Sequence, residues 1–183
     1  NEGNVTQAEL LGGKGANLAE MSSLSIPVPP GFTIATPACN LFLKNNLLSN
    51  AIKKETINSL KKIESIVLKG FGDTNNPLLL SIRSGAKVSM PGMMETVLNI
   101  GLTSKTIPAL IEKTQNPRFV YDSYRRLIMM YSDVVMEKAE QKNDIRIREK
   151  LESILEKYKS KKSISNDYDL SCKDLQKLIK AFK

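Results

Sequence analysis

Three short segments carry residue types that could handle a phosphate. The first is Gly12-Gly13-Lys14-Gly15, which opens the helical pattern of Ala16-Asn17-Leu18-Ala19-Glu20-Met21. The first backbone N–H groups of a helix have no partner inside it and the dipole is positive there, so an anion is favoured and Lys14 adds a full charge. The spacing is not that of a Walker A loop, which needs four residues between its first glycine and its Gly-Lys-Ser/Thr. Taken alone, these residues read more readily as a glycine turn with a solvated lysine. The second segment is Arg83, which ends the apolar run Leu78-Leu79-Leu80-Ser81-Ile82 and precedes Ser84-Gly85. A guanidinium at the carboxyl end of a strand can fork two phosphate oxygens, or simply hold a surface ion pair. The third is Ser89-Met90-Pro91-Gly92-Met93-Met94-Glu95-Thr96. It reads either as a hydrophobic tuck filled by pliable methionines or as a flap whose backbone covers a ligand, with Gly92 allowing close approach.

Those segments need elements to hold them. Ile26-Pro27-Val28-Pro29-Pro30-Gly31 is irregular, because its prolines fix extended backbone. Phe32-Thr33-Ile34-Ala35 is expected to be a strand, with Thr36-Pro37 starting a helix as N-cap and N1. Ile52, Ile57, Leu60, Ile63 and Val67 recur at helical spacing, and residues 73–77 form a loop. Residues 78–83 and 96–100 read as strands. After Leu102 the pattern turns helical. One stripe is Leu127, Met130, Tyr131, Val134 and Val135. A second is Ile147, Leu151, Ile154, Leu155 and Tyr158. A third, Leu175, Leu178, Ile179 and Phe182, opens with the capping-box pair Ser171 and Asp174. A boundary near residue 103 is expected, with a mixed lobe over 1–102 and a helical one over 103–183.

Composition narrows the function classes. The 183 residues include no histidine, so no phosphohistidine and no Ser-His-Asp triad can form within them. Two cysteines, Cys39 and Cys172, cannot build a disulfide framework or a four-ligand zinc site; two reduced thiols are expected. No apolar run approaches the ~20 residues that span a bilayer. Asn1-Glu2-Gly3-Asn4 does not resemble a secretion signal, so a cytoplasmic location is expected. The net charge of +8 lies mostly in residues 101–183, but the signs are mixed there, as in Glu149-Lys150-Leu151-Glu152. With aromatics at 5%, mixed charge argues against the alternative of a basic helical nucleic-acid-binding module.

In combination the segments are far more specific. The chain resembles the N-terminal nucleotide-binding region of the pyruvate phosphate dikinase family. The resemblance rests on residues 12–21, on Val28-Pro29-Pro30-Gly31-Phe32-Thr33-Ile34, and on Ser81-Ile82-Arg83-Ser84-Gly85-Ala86 through Met90 to Leu102. It continues in Tyr121-Asp122-Ser123-Tyr124-Arg125-Arg126. Phosphoenolpyruvate synthases, the alternative within the same chemistry, look similar at the first two motifs but carry an acidic loop where this chain has Met90-Pro91-Gly92-Met93-Met94.

The resemblance implies an α+β fold: the first lobe of an ATP-grasp domain, followed by an all-helical subdomain. It implies ATP as ligand, its phosphates held by Lys14 and Arg83 and covered by the loop from Ser89 to Thr96. Arg125 and Arg126 fall in the helical part, away from the phosphates. It also implies a larger parent enzyme, a homo-oligomer that converts ATP, phosphate and pyruvate to AMP, diphosphate and phosphoenolpyruvate. That parent would supply a second ATP-grasp lobe with the magnesium ligands, a phosphohistidine domain and a pyruvate-binding barrel. This stretch alone is expected to be inactive, or to act as a structural module if its half of the cleft is too incomplete.

Overall fold

A computed structural model describes residues 2–85, 96–136 and 146–183. Packing divides the chain into two units, Asn1–Lys69 with Arg83–Glu95, and Gly70–Ile82 with Thr96–Lys183. The described structure is mostly helical, with one two-stranded sheet.

In the first unit a short 3-10 turn, Val5–Gln7, leads into α1, Ala8–Ser23. The turn is closed reciprocally: Asn4 Oδ1 accepts from Thr6 N at 2.9 Å and Gln7 Oε1 accepts from Asn4 N at 3.1 Å. α1 is broken at Gly12, whose φ of 69° and ψ of 163° lie outside the helical region. After α1 the expected strand at 32–35 does not form; the backbone there belongs to no ladder. A strand needs a partner, and the prolines at 27, 29 and 30 withhold three donors from any pairing of this stretch. The segment is instead laid against α1 by side chains. Thr36 Oγ1 donates to the Glu9 carbonyl at 2.7 Å, so this hydroxyl ties two elements together rather than capping a helix. α2 spans Thr36–Asn45 with Ala35 as its N-cap, one residue earlier than the sequence suggests. α3, Asn50–Val67, starts at Ser49, whose hydroxyl accepts from Ile52 N at 3.3 Å. Of the five apolar residues that recur along it only Ile63 is buried, and Ile57 is 54% exposed.

In the second unit β1, Leu80–Ile82, pairs antiparallel with β2, Val97–Ile100, Leu80 facing Ile100 and Ile82 facing Val97. Gly101 follows at φ 105°, where a Cβ would lie 2.6 Å from the Leu78 carbonyl oxygen. Only glycine satisfies both demands. The fully buried Thr106 donates from its hydroxyl to the Gly101 carbonyl at 3.1 Å and accepts from Thr103 N at 2.9 Å, which turns the chain into α4, Ile107–Thr114. α5 is Pro117–Tyr131, capped by Asn116 Oδ1 accepting from Phe119 N at 3.0 Å. A π-helical turn, Ser132–Met136, continues it. α6 is Ile147–Lys161 and α7 is Cys172–Phe182.

Val97, Leu102, Ile107, Val120, Tyr124, Leu127 and Ile179 form one core; Leu155, Leu170, Leu175 and Leu178 form another beside it. The second and third sequence stripes supply the inward faces of α6 and α7. Of the first stripe, Leu127 is buried in the core and Met130 and Val134 pack against it, while Tyr131 is 44% and Val135 38% exposed.

Candidate functional site

Lys14 and Arg83 both belong to the first unit. The break at Gly12 starts a new helical run at Gly13, so Lys14 stands in its first turn, where donors lack partners and the dipole is positive. Against this helix start lies the chain just after Arg83. A Cβ on Gly12 would overlap the Gly85 carbonyl oxygen and come within 2.9 Å of the Gly85 Cα, so the two backbones touch with no space for a side chain. Beside that contact, the half-buried Lys14 donates from Nζ to Ser84 Oγ at 3.5 Å, a long hydrogen bond between residues 70 apart in sequence. Arg83, the next residue along, is exposed to solvent. The helix start that carries Lys14 thus meets the segment that carries Arg83 two residues before Gly85.

Of the expected covering loop, Ser89, Met90, Pro91, Gly92, Met93, Met94 and Glu95 lie outside the described residues. Thr96 is half-buried at the start of β2. Ser84 stands in the Arg83-Ser84-Gly85 motif, and the sequence alone assigns it no role. Its signal is chemical, a hydroxyl next to a phosphate-type arginine, yet nothing in the spacing says that it faces Lys14.

The second unit holds its charges differently. Arg125 is 3% exposed. Its Nε and Nη2 donate to Asp122 Oδ1 at 3.0 and 2.9 Å, and Nη2 pairs with Asp167 Oδ2 at 3.1 Å. Arg126 is 62% exposed and pairs with Asp122 Oδ2 at 2.9 Å. Lys159 pairs with Asp167 at 3.0 Å and Glu156 at 3.1 Å. Arg125 is thus a buried structural tie within this unit. An open hollow of about 370 Å³ in the same unit is lined by Leu102, Tyr124, Leu127, Tyr131, Leu151 and Phe182 among others. It is apolar and offers phosphate chemistry nothing. Cys39 and Cys172 are both free thiols. No helix among the described residues is long and apolar enough to cross a membrane.

A family model described as pyruvate phosphate dikinase, AMP/ATP-binding domain, matches residues 8–66, a span that contains Lys14. Beyond that span the likeness continues to the last residue. The pyruvate, phosphate dikinase of Clostridium symbiosum is 45% identical over 183 residues, all of this chain and 20% of that protein. Over its whole length the chain is similar to a part of the pyruvate, phosphate dikinases. The dikinase of Rhizobium meliloti is likewise 45% identical over the whole chain, covering 20% of its own length. Pyruvate, phosphate dikinase 1, chloroplastic, of Zea mays is 46% identical over the whole chain and 18% of its own length. The chain thus spans about a fifth of the curated dikinases it matches. Lys14 and Arg83 both lie within the aligned dikinase region.

Proposed function

We propose that this region of a dikinase grips the phosphates of ATP with Lys14 and Arg83, as part of the first lobe of an ATP-grasp domain. The observation that supports the reading is the meeting of the Gly12–Lys14 helix start with Ser84-Gly85, the segment that Arg83 precedes. Each does a distinct task. Lys14 places a compact charge among first-turn amides, where charge on a transferring phosphoryl group is best met by fixed donors. Arg83 offers a planar fork to two oxygens. The loop from Ser89 to Thr96 is the cover over these phosphates in the same reading.

By resemblance to the family, residues 1–102 are the partial ATP-grasp lobe and 103–183 its helical subdomain. The parent reaction is ATP, phosphate and pyruvate to AMP, diphosphate and phosphoenolpyruvate, in a cytoplasmic homo-oligomer. The second ATP-grasp lobe, the phosphohistidine domain and the pyruvate-binding barrel belong to that parent. Among the described residues no three His, Cys, Asp or Glu side chains converge, and no step is assigned to magnesium here. The metal ligands belong to the second lobe in this reading.

Titration of this chain with ATP, by calorimetry or NMR at fixed salt, tests the site. Binding is expected at high micromolar Kd or weaker, about −5 kcal/mol at best. Lys14→Ala is expected to cost about 1.5 kcal/mol, close to tenfold, since solvent screens the contact. Arg83→Ala is expected to cost somewhat more, because two oxygens lose a donor. Arg126→Ala should leave binding unchanged. Equal losses at Lys14, Arg83 and Arg126 would mean general attraction to a basic surface and would remove the assigned site.

A further inference from the structure

We propose that Gly12 is a positioning residue of the phosphate site: its contact with Gly85 sets where Lys14 and Arg83 stand relative to each other. The inference rests on the phosphate reading above and adds to it a residue that touches no ligand.

The demand for glycine at position 12 is twofold. Its φ of 69° with ψ of 163° is a conformation that side-chain-bearing residues rarely adopt. Independently, a Cβ there would overlap the Gly85 carbonyl oxygen and sit 2.5 Å from the carbonyl carbon. The demand is one-sided. A Cβ on Gly85 would meet nothing closer than the Leu11 carbonyl oxygen at 3.7 Å, an ordinary contact. So Gly12, not Gly85, is what permits the close approach.

The cations are placed by the same contact. Lys14 follows Gly12 by two residues and Arg83 precedes Gly85 by two, so both are carried by backbone that the contact holds. Between them Ser84 Oγ accepts from Lys14 Nζ, which steers the ammonium toward the segment that bears Arg83. Forcing the two backbones apart to admit a methyl group would move one cation away from the other while leaving both side chains intact. Misplacement of binding groups by about 1 Å can cost as much as 100-fold in function, so a steric change here should read out as lost affinity.

The test is an ATP titration of this chain, followed by NMR. Gly12→Ala is expected to weaken ATP binding by about tenfold or more, and Gly85→Ala to stay within about twofold of the unaltered chain. Unchanged affinity in Gly12→Ala, or equal loss in Gly85→Ala, would overturn the proposal. Ser84→Ala introduces no clash and guards against a Gly12→Ala chain that does not fold. It is expected to shift the Lys14 Cε resonance without any nucleotide present and to weaken ATP by about threefold. Ser84→Thr should restore both values. A Lys14 resonance that does not move in Ser84→Ala counts equally against the proposal. The resonance is read without ligand, so it separates this inference from the phosphate reading, which falls instead if neither Lys14→Ala nor Arg83→Ala alters ATP affinity.

Discussion

Arg125→Ala is expected to destabilise the second unit by about 3–5 kcal/mol, the usual cost of removing one member of a buried ion pair. Its guanidinium joins Asp122 on α5 to Asp167, which lies in the connection between α6 and α7. Nη1 also reaches Met129 Sδ at 3.3 Å, so each nitrogen has a partner. Without it, the mostly buried Asp122 and the part-exposed Asp167 lose the cation between them, leaving the exposed Arg126 to the first and Lys159, already shared with Glu156, to the second. Lysine at this position should recover only part of the loss, since an ammonium cannot fork. Arg126→Ala, by contrast, removes an exposed partner of the same Asp122 and should cost less than about 1 kcal/mol. Denaturant unfolding of the three variants decides the matter. An Arg125→Ala chain no less stable than Arg126→Ala would show that the buried pair is energetically idle.

The second large effect lies at Asp174, where stability should depend on pH. This carboxylate is 4% exposed. It accepts from Lys162 Nζ, from Ser171 N at 3.0 Å and Oγ, and from Tyr158 Oη at 2.8 Å. The hydrogen bond from Lys162, then that from the Ser171 hydroxyl, holds its pKa well below the ordinary 3.8, against the opposing pull of burial. Because the folded value lies below the unfolded one, the stabilisation is complete above about pH 4–5 and is lost as pH falls through the folded value. Asp167 adds to the same acid limb. Burial pushes its pKa up, but the Lys159 hydrogen bond and the Arg125 charge outweigh burial and leave it lowered. Asp174→Asn keeps the shape and removes the charge. It should cost about 2–3 kcal/mol at neutral pH, discounted for the half-exposed Lys162. Its melting temperature should also fall less steeply than that of the unaltered chain between pH 5 and pH 2. Parallel melting curves over that range would be incompatible with a native-state carboxylate at this position.

How much of this was legible in the sequence follows from how local each signal is. The capping box at Ser171 and Asp174 was readable because both partners lie within one turn. Lys14 and Arg83 were readable as residue types, and their family motif named them together. The contact that unites them was not, because a glycine touching a glycine 73 positions away leaves no periodic trace. The strand expected at 32–35 failed for a related reason: apolar alternation shows that a segment can be extended, not that a partner is present. Sequence alone puts Arg125 in the helical part and gives it no tie. Its burial depends on Asp167 arriving from beyond α6, which spacing on α5 could not announce.

Arg118 shows what such long-range contacts do to an otherwise ordinary connection. From the first turn of α5 its Nε donates to the Leu170 carbonyl at 2.9 Å, and its Nη2 donates to the carbonyls of Asp167 and Tyr168 at 3.0 and 2.7 Å. Three backbone acceptors in four residues are thereby occupied, though the Tyr168 side chain stands 72% exposed. A protease must draw its substrate into an extended strand and take up those same carbonyls. Toward such an enzyme this surface connection behaves as part of the folded interior, open to touch but closed to cutting until the arginine lets go.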